Sequence, residues 1–354
     1  LNRYVKKRIS AMEPYKVQDV DEGEIKLDAQ ENPYDIPGEI KDKIKERIYG
    51  IRMNRYPDPD NAALKRYIAD YCGVSPENIV LGNGSDELIM LLLFSCGGEG
   101  KKAAAAEPTF SMYRILSELT GTVYKGIPHG EGFSLPDKDI LSVSPDIVFM
   151  AYPNNPTGNC YSKEKINRIL SSDSVLTVLD EAYYEFSGKS FISSVQEREN
   201  LVVLRTFSKA FSLAGVRAGY LITNENLARE LRKAQLPYNF SSVAQVVVEE
   251  VIKNRESILY TVNELVESRK KLYRELEGVS FIKPYNTEAN FILMKIEKIR
   301  RVLDSLRKRN IKVRRFKSQS MRDKLRVTVG RPEENERFLK AVIESFSGYN
   351  VEVE

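Results

Sequence analysis

The chain has almost no histidine, no tryptophan and few cysteines: 1 His, 0 Trp and 3 Cys among 354 residues. A histidine triad, a multi-histidine metal centre or a histidine proton shuttle would all have to be built on His129. That residue sits in the loop signal Pro128-His-Gly130 and is expected in solvent, so proton transfer would fall to Lys, Tyr or a carboxylate. Cys72, Cys96 and Cys160 are scattered and odd in number, which gives no disulfide framework and no zinc spacing and suits a reducing cytoplasm. The longest apolar run, Leu88 to Phe94, is far too short to cross a bilayer. The basic start Leu1-Asn-Arg-Tyr-Val-Lys-Lys-Arg8 has no apolar stretch behind it and does not read as a secretory signal. A net charge of +4 is too mild to argue for nucleic acid. A cytoplasmic protein without a metal is the expectation.

What is present is a large core and a repeating order of elements. Hydrophobic content of 42% over this length supports about two domains. Ile79 to Leu81, Ala103 to Ala106, Ile147 to Ala151, Val175 to Leu179, Leu201 to Leu204 and Gly219 to Ile222 read as buried strands. Asp86 to Phe94, Ser111 to Leu119 and Lys163 to Leu170 carry helical spacing between them. Such alternation predicts an α/β fold with a mostly parallel sheet covered on both faces. Beyond about residue 243 one long helical pattern, Gln245 to Leu276, precedes short strands near Phe291 to Lys295 and Leu325 to Val329. The reading is a large unit over 45–243 and a smaller α+β unit formed by 1–44 and 244–354.

Four local patterns carry chemistry. In Arg205-Thr-Phe-Ser-Lys-Ala-Phe-Ser-Leu-Ala-Gly-Val-Arg-Ala-Gly-Tyr220, Lys209 can form a Schiff base with an aldehyde cofactor, and Thr206, Ser208 and Arg217 offer donors to a phosphate. The apolar neighbours Phe207, Ala210 and Phe211 argue for partial burial of Lys209, which lowers a lysine pKa. Leu81-Gly-Asn-Gly-Ser-Asp-Glu87 follows a strand and opens a helix, so it is either an anion cradle or a plain helix start with Ser85 as its cap. A dinucleotide fingerprint would need glycine where Glu87 stands. Asn154-Asn-Pro-Thr-Gly158 alone is a turn, and Asp180-Glu-Ala-Tyr183 alone is a helix start after a strand.

Together and in this order, those blocks resemble the fold-type I pyridoxal-phosphate aminotransferases, and within them the histidinol-phosphate aminotransferases, from Tyr15 to Gly330. The resemblance implies a seven-stranded sheet, pyridoxal 5′-phosphate as cofactor and a homodimer. It gives the cofactor phosphate to the backbone of Ser85 and Asp86 with Thr206, Ser208 and Arg217, the ring nitrogen to Asp180, the ring oxygen to Asn155 and Tyr183, and a stacking role to Phe110. Tyr56, in Arg55-Tyr-Pro-Asp-Pro59, would reach a neighbouring chain's cofactor. The resemblance places Tyr15, Asn32, Arg314 and Arg326 at the substrate, an amino phosphate exchanged against glutamate and 2-oxoglutarate. Between Lys298 and Arg326 there are thirteen Lys or Arg against two acids, and Arg314 and Arg326 fall in strand-like contexts within that stretch. Two departures stand out: Gln30-Glu-Asn-Pro33 where the family has Asn-Glu-Asn-Pro, and Arg315 where proline is common. Rival functions on the same scaffold are transamination of aromatic or other amino acids and decarboxylation of threonine phosphate. The chain lacks the His-Gly-Gly-Asn type of motif expected for the decarboxylase. A regulator without turnover would need an appended DNA-binding domain, which these residues leave no segment for.

Overall fold

The computed structural model describes residues 3–14 and 23–346. Its strands, in chain order, are β1 (Ile25–Leu27), β2 (Ile79–Gly82), β3 (Lys102–Glu107), β4 (Val123–Pro128), β5 (Ile147–Ala151) and β6 (Leu176–Asp180), then β7 (Leu201–Thr206), β8 (Gly219–Thr223), β9 (Ile282–Pro284), β10 (Phe291–Ile296), β11 (Ile311–Arg315) and β12 (Lys324–Thr328). Seven of them form one sheet in the order β2-β8-β7-β6-β5-β3-β4. Neighbours from β7 to β4 are parallel, and β8 alone runs against both of its partners.

Alternation along these strands explains why both faces are covered. Val80, Ala103, Ala105, Phe149, Val178, Val202 and Leu204 pack into one apolar layer. Leu81, Ala104, Ala106, Val148, Met150, Leu179 and Val203 pack into the other. A strand buried on two sides cannot show polar alternation, so it appears in sequence as a continuous apolar run. The run of four alanines in β3 has high helix propensity, yet it is fully buried between β4 and β5 and extends as strand. β4 departs from the sequence reading. It is the sheet's edge strand and mostly exposed, with Lys125, Gly126 and Pro128 in it, so it shows no apolar run.

The second sheet has the order β1-β11-β12-β10-β9, with β1 parallel to β11 and the remaining pairs antiparallel. Its core joins Leu27, Ile292, Met294, Val313 and Val327 to Leu272, Val302 and Phe338 from the covering helices. The single long helix expected over 245–276 is two helices, Ser242–Lys253 and Arg255–Glu277. They break at Asn254, whose φ of −104° and ψ of 27° lie outside the helical well. Lys163–Leu170 forms as read, burying Ile166, Ile169 and Leu170 at three- and four-residue spacing.

Candidate active site

Parallel strands place their carboxyl ends along one edge of the sheet, and ligands of open α/β sheets bind there. At that edge lies a cavity of about 120 Å³ whose walls include Asp180 at the end of β6, Thr206 at the end of β7, and Lys209 and Arg217 on the segment linking β7 to β8. An outer chamber of about 700 Å³ shares Gln30, Phe110, Asn155 and Lys209 with it and adds Arg314 and Arg326.

Lys209 Nζ donates to the carbonyl of Ala29 at 2.8 Å. Burial, followed by the positive charge of Arg326, draws its pKa down to about 8, with Glu31 opposing. Asp180 is 4% exposed. Burial raises its pKa to about 6 against two hydrogen bonds that favour the carboxylate: Tyr113 Oη donates to Oδ2 at 2.7 Å and the Ala182 N–H donates to Oδ1 at 3.1 Å. A carboxylate kept this dry is suited to a cationic ring nitrogen, which would repay its desolvation. On the opposite side of the same strand ends, Glu181 and Arg205 form a buried pair at 2.9 Å that ties β6 to β7.

Asn155 joins the two sheets. Its Nδ2 donates to Tyr183 Oη at 3.2 Å, and its Oδ1 accepts from Arg326 Nη1 at 2.5 Å. Arg326 Nη2 donates to the Asp28 carbonyl at 2.6 Å, and Tyr183 Oη donates to Gln30 Oε1 at 3.3 Å. Thus a strand of the small sheet and a loop of the large one meet on one amide.

The far end of the cavity is lined by a helix N-terminus and Arg217. The helix Ser85–Cys96 follows β2 through Gly84, which has φ of 82° and leaves the helix without a side-chain cap. Its first N–H groups and its dipole favour an anion. Ser85 is therefore the first helical residue, with Gly84 in the cap position. Arg217, itself at φ of 56°, places Nη2 3.1 Å from Asp86 Oδ2 and Nη1 3.5 Å from Ser208 Oγ. Thr206 Oγ1 accepts from the Ser208 N–H at 3.1 Å. Asp86 Oδ1 is buried and has no hydrogen-bond partner among the described residues. Close packing here depends on glycine: a Cβ on Gly219 would lie 2.9 Å from Gly84 C and from Ser85 N, both backbone atoms. Gly219→Ala is expected to cost about 1–3 kcal/mol through this overlap and to weaken cofactor retention. Gly215→Ala, with open space around its Cβ, should leave retention unchanged. Equal retention by both variants in equilibrium dialysis would refute the cradle.

The structure brings Ser85, Asp86, Phe110, Asn155, Asp180, Tyr183, Thr206, Ser208, Lys209 and Arg217 to one cavity, and Arg314 and Arg326 to the chamber outside it. Asn32 lines neither. Its Nδ2 donates to the Ala210 carbonyl at 3.1 Å and to Thr261 Oγ1 at 3.3 Å, so its amide holds the backbone beside Lys209. Tyr56 also lies away from both cavities, 80% exposed and stacked on Tyr238 at 4.5 Å. Tyr15 lies outside the described residues. The expectation of a solvent-exposed His129 is corrected: its ring is half-buried, Nε2 and Tyr161 Oη are 2.9 Å apart, and burial lowers its pKa to about 4. Sequence reasoning passed over Tyr113, and it noted Gln30 only as a departure from the family motif without giving it a partner. Tyr113 had a signal, since it opens the helical pattern just after Phe110, whose ring it meets edge-on at 5.5 Å. Gln30 reaches Tyr183 across 153 residues of chain, and no local pattern reports that.

Residues 22–342 match the family model described as aminotransferase class I and II. The chain belongs to that family, whose cofactor is pyridoxal phosphate. The relatives narrow the comparison. It is 41% identical over 343 residues to histidinol-phosphate aminotransferase 1 of Carboxydothermus hydrogenoformans, covering 96% of this chain and 97% of that protein. It is 39% identical over 349 residues to the histidinol-phosphate aminotransferase of Thermococcus gammatolerans, covering 97% and 98%. In fold it is similar to the histidinol-phosphate aminotransferase of Sinorhizobium meliloti, solved in complex with pyridoxal-5′-phosphate, with TM-score 0.87 at 21% identity and 98% coverage of both chains.

Proposed function

We propose that this chain transfers the amino group of L-histidinol phosphate to 2-oxoglutarate, giving imidazole-acetol phosphate and L-glutamate. One observation carries the reading: Lys209 is a wall shared by a cavity that ends in an anion cradle and a chamber that holds Arg314 and Arg326. The names of the relatives support the choice of amine.

The residues present fit pyridoxal phosphate, as an uncapped helix start, a dry carboxylate and a depressed lysine line a single cavity. When bound, the cofactor supplies an aldehyde that takes up the substrate amine and a pyridinium ring that accepts the electron pair left on Cα. The N–H groups of Ser85 and Asp86, the Thr206 and Ser208 hydroxyls and the Arg217 fork would hold its phosphate. Asp180 would keep the proton on the ring nitrogen, with Tyr113 fixing the carboxylate's direction. Asn155 and Tyr183 would donate to the ring oxygen, and Phe110 would cover a ring face. Lys209 Nζ, lowered in pKa so that its neutral form is accessible near pH 8, would take the proton from Cα and return it to the carbon that receives the amine. Arg326 and Arg314 would seat the anionic groups remote from that carbon.

Arg314 has no carboxylate at ion-pair distance among the described residues, which leaves its guanidinium available to a substrate phosphate. Arg314→Gln is expected to lower kcat/KM for L-histidinol phosphate by roughly 10–100-fold, the equivalent of one charge-assisted contact. Phosphate-free L-histidinol should be a poor donor that the substitution barely affects. If wild-type protein used the two donors equally well, the amino-phosphate assignment would fail while the cofactor assignment stood. Faster transfer from phenylalanine would favour an aromatic aminotransferase, and release of carbon dioxide from O-phosphothreonine would favour the lyase.

We also read the face around Tyr56 as the contact for a second copy of the chain, and the cytoplasm as its compartment. Met53, Tyr56 and Tyr238 line that face and are 68%, 80% and 42% exposed, a cluster of exposed apolar side chains of the kind that marks a protein contact. Sedimentation as a single protomer would remove the dimer reading.

A further inference from the structure

A separate cavity of about 560 Å³ lies between the helix Arg255–Glu277 and the segment leading into β10, and it shares no wall with the Lys209 site. Its central cation is Arg269, 9% exposed, which spends Nη1 on the Ala289 carbonyl at 2.8 Å. No carboxylate lies at ion-pair distance from Arg269 among the described residues, and burial pulls its pKa down with Glu288 only partly opposing. The other charges leave the excess standing. Lys270 pairs with Glu267 at 2.6 Å and Glu288 with Lys189 at 2.5 Å, while Arg274 gives Nε to the Lys270 carbonyl at 3.2 Å and meets no carboxylate among the described residues.

A buried guanidinium without an anion is costly, and its planar fork matches a carboxylate or phosphate. The Tyr273 ring and the arginine stems make the remaining walls largely apolar. We propose that this cavity binds a small organic anion, a phosphate or carboxylate head on a compact apolar body, and that its occupancy adjusts the active site from behind.

Two short connections carry the effect. Thr287, on the cavity wall, packs so tightly on Gly158 that a Cβ there would collide with its Oγ1, and the Glu288 N–H donates to the Gly158 carbonyl at 2.7 Å. The Gly158 N–H in turn closes on the Asn154 carbonyl at 2.7 Å, which shapes the loop that presents Asn155. On the other side, Arg269 holds Ala289, and Asn290 Nδ2 donates to the Gln30 carbonyl at 3.0 Å. Gln30 Oε1 is the acceptor for Tyr183 Oη. An anion that moves Arg269 therefore acts on Asn155 and Tyr183 together through contiguous contacts.

The test uses cofactor-loaded protein, with inorganic phosphate and phenyl phosphate as probes at ionic strength fixed by potassium chloride. Crystals soaked in phenyl phosphate should show its phosphate on Arg269 and Arg274. With any amine that the protein transaminates, and with both substrates saturating, either probe should change kcat at least about fivefold, the lower end of the usual coupling between sites. Phenyl phosphate should act at lower concentration than inorganic phosphate. Arg269→Gln and Arg274→Gln should each abolish the change, the second on an exposed rim position where folding is not at stake. Simple competition at the active site would raise KM alone and persist in both variants. Anion density confined to the Arg314 chamber, or a kcat response that survives in Arg274→Gln, would overturn the proposal. The choice of histidinol phosphate as donor does not enter either measurement.

Discussion

Lys209→Ala is expected to leave the fold intact and to reduce amino transfer by about 10⁴-fold or more, because in the proposed mechanism a single amine both attaches the cofactor and moves the Cα proton. The protein should bind pyridoxal phosphate non-covalently, and borohydride should trap none of it on the chain. The wild-type rate of cofactor attachment carries a pH signature. With a folded-state pKa of about 8 rather than 10.5, the neutral amine dominates above pH 8, so attachment should rise with pH and level off just beyond that point. Removing the positive charge beside it, in Arg326→Gln, should move the midpoint upward, since Arg326 is the largest depressing influence after burial. Borohydride trapping in Lys209→Ala equal to wild type would sink the assignment.

Asp180→Asn is expected to lower kcat by roughly 10²–10³-fold, comparable to losing one preorganised electrostatic contact, while making the cofactor-free protein more stable at neutral pH. The sign follows from the direction of the shift. Burial raises the carboxyl from 3.8 to about 6, so the folded state binds more protons than the unfolded chain between those values. Stability of the cofactor-free protein therefore falls as pH rises through that window, by about 3 kcal/mol for a two-unit shift. Asparagine carries no charge to desolvate and removes this penalty. Melting curves of cofactor-free wild type and Asp180→Asn should coincide near pH 4 and separate by several degrees at pH 8, with the variant higher. A wild-type protein that gains stability relative to the variant between pH 4 and 8 would contradict a desolvated carboxylate. Loaded with cofactor, wild type should regain the difference, because a ring cation returns what the carboxylate lost on burial.

The residues proposed to meet the cofactor were legible because each sits in a short block with its own backbone geometry. The lysine follows a strand end, the aspartate ends a strand, and the glycine pair opens a helix; such devices are local, and local order survives in a linear string. Strand positions in the centre of the sheet were legible for the related reason that burial on both faces forces a continuous apolar run. β4 escaped because an edge strand has no such requirement. The break at Asn254 escaped because the apolar spacing resumes in phase beyond it, from Val251 to Ile258, although Lys253-Asn-Arg-Glu-Ser257 between them holds no apolar residue. His129 was misplaced because a Pro-His-Gly turn says nothing about Tyr161 and Phe133, which enclose the ring from other segments.

Sequence alone determined the class of chemistry, the cofactor and the sheet that carries them, through the order of short blocks that resembles the aminotransferases. Tertiary structure decided the rest: that Tyr113 steers Asp180, that Arg326 grips Asn155 across 171 positions, that Asn32 serves the backbone next to Lys209, and that Arg269 stands buried with no carboxylate at ion-pair distance among the described residues. The physical reason is desolvation. Whether a charged or polar group meets water, a partner or nothing depends on what other segments fold over it, and a pKa or a binding site is set by that meeting rather than by its neighbours along the chain.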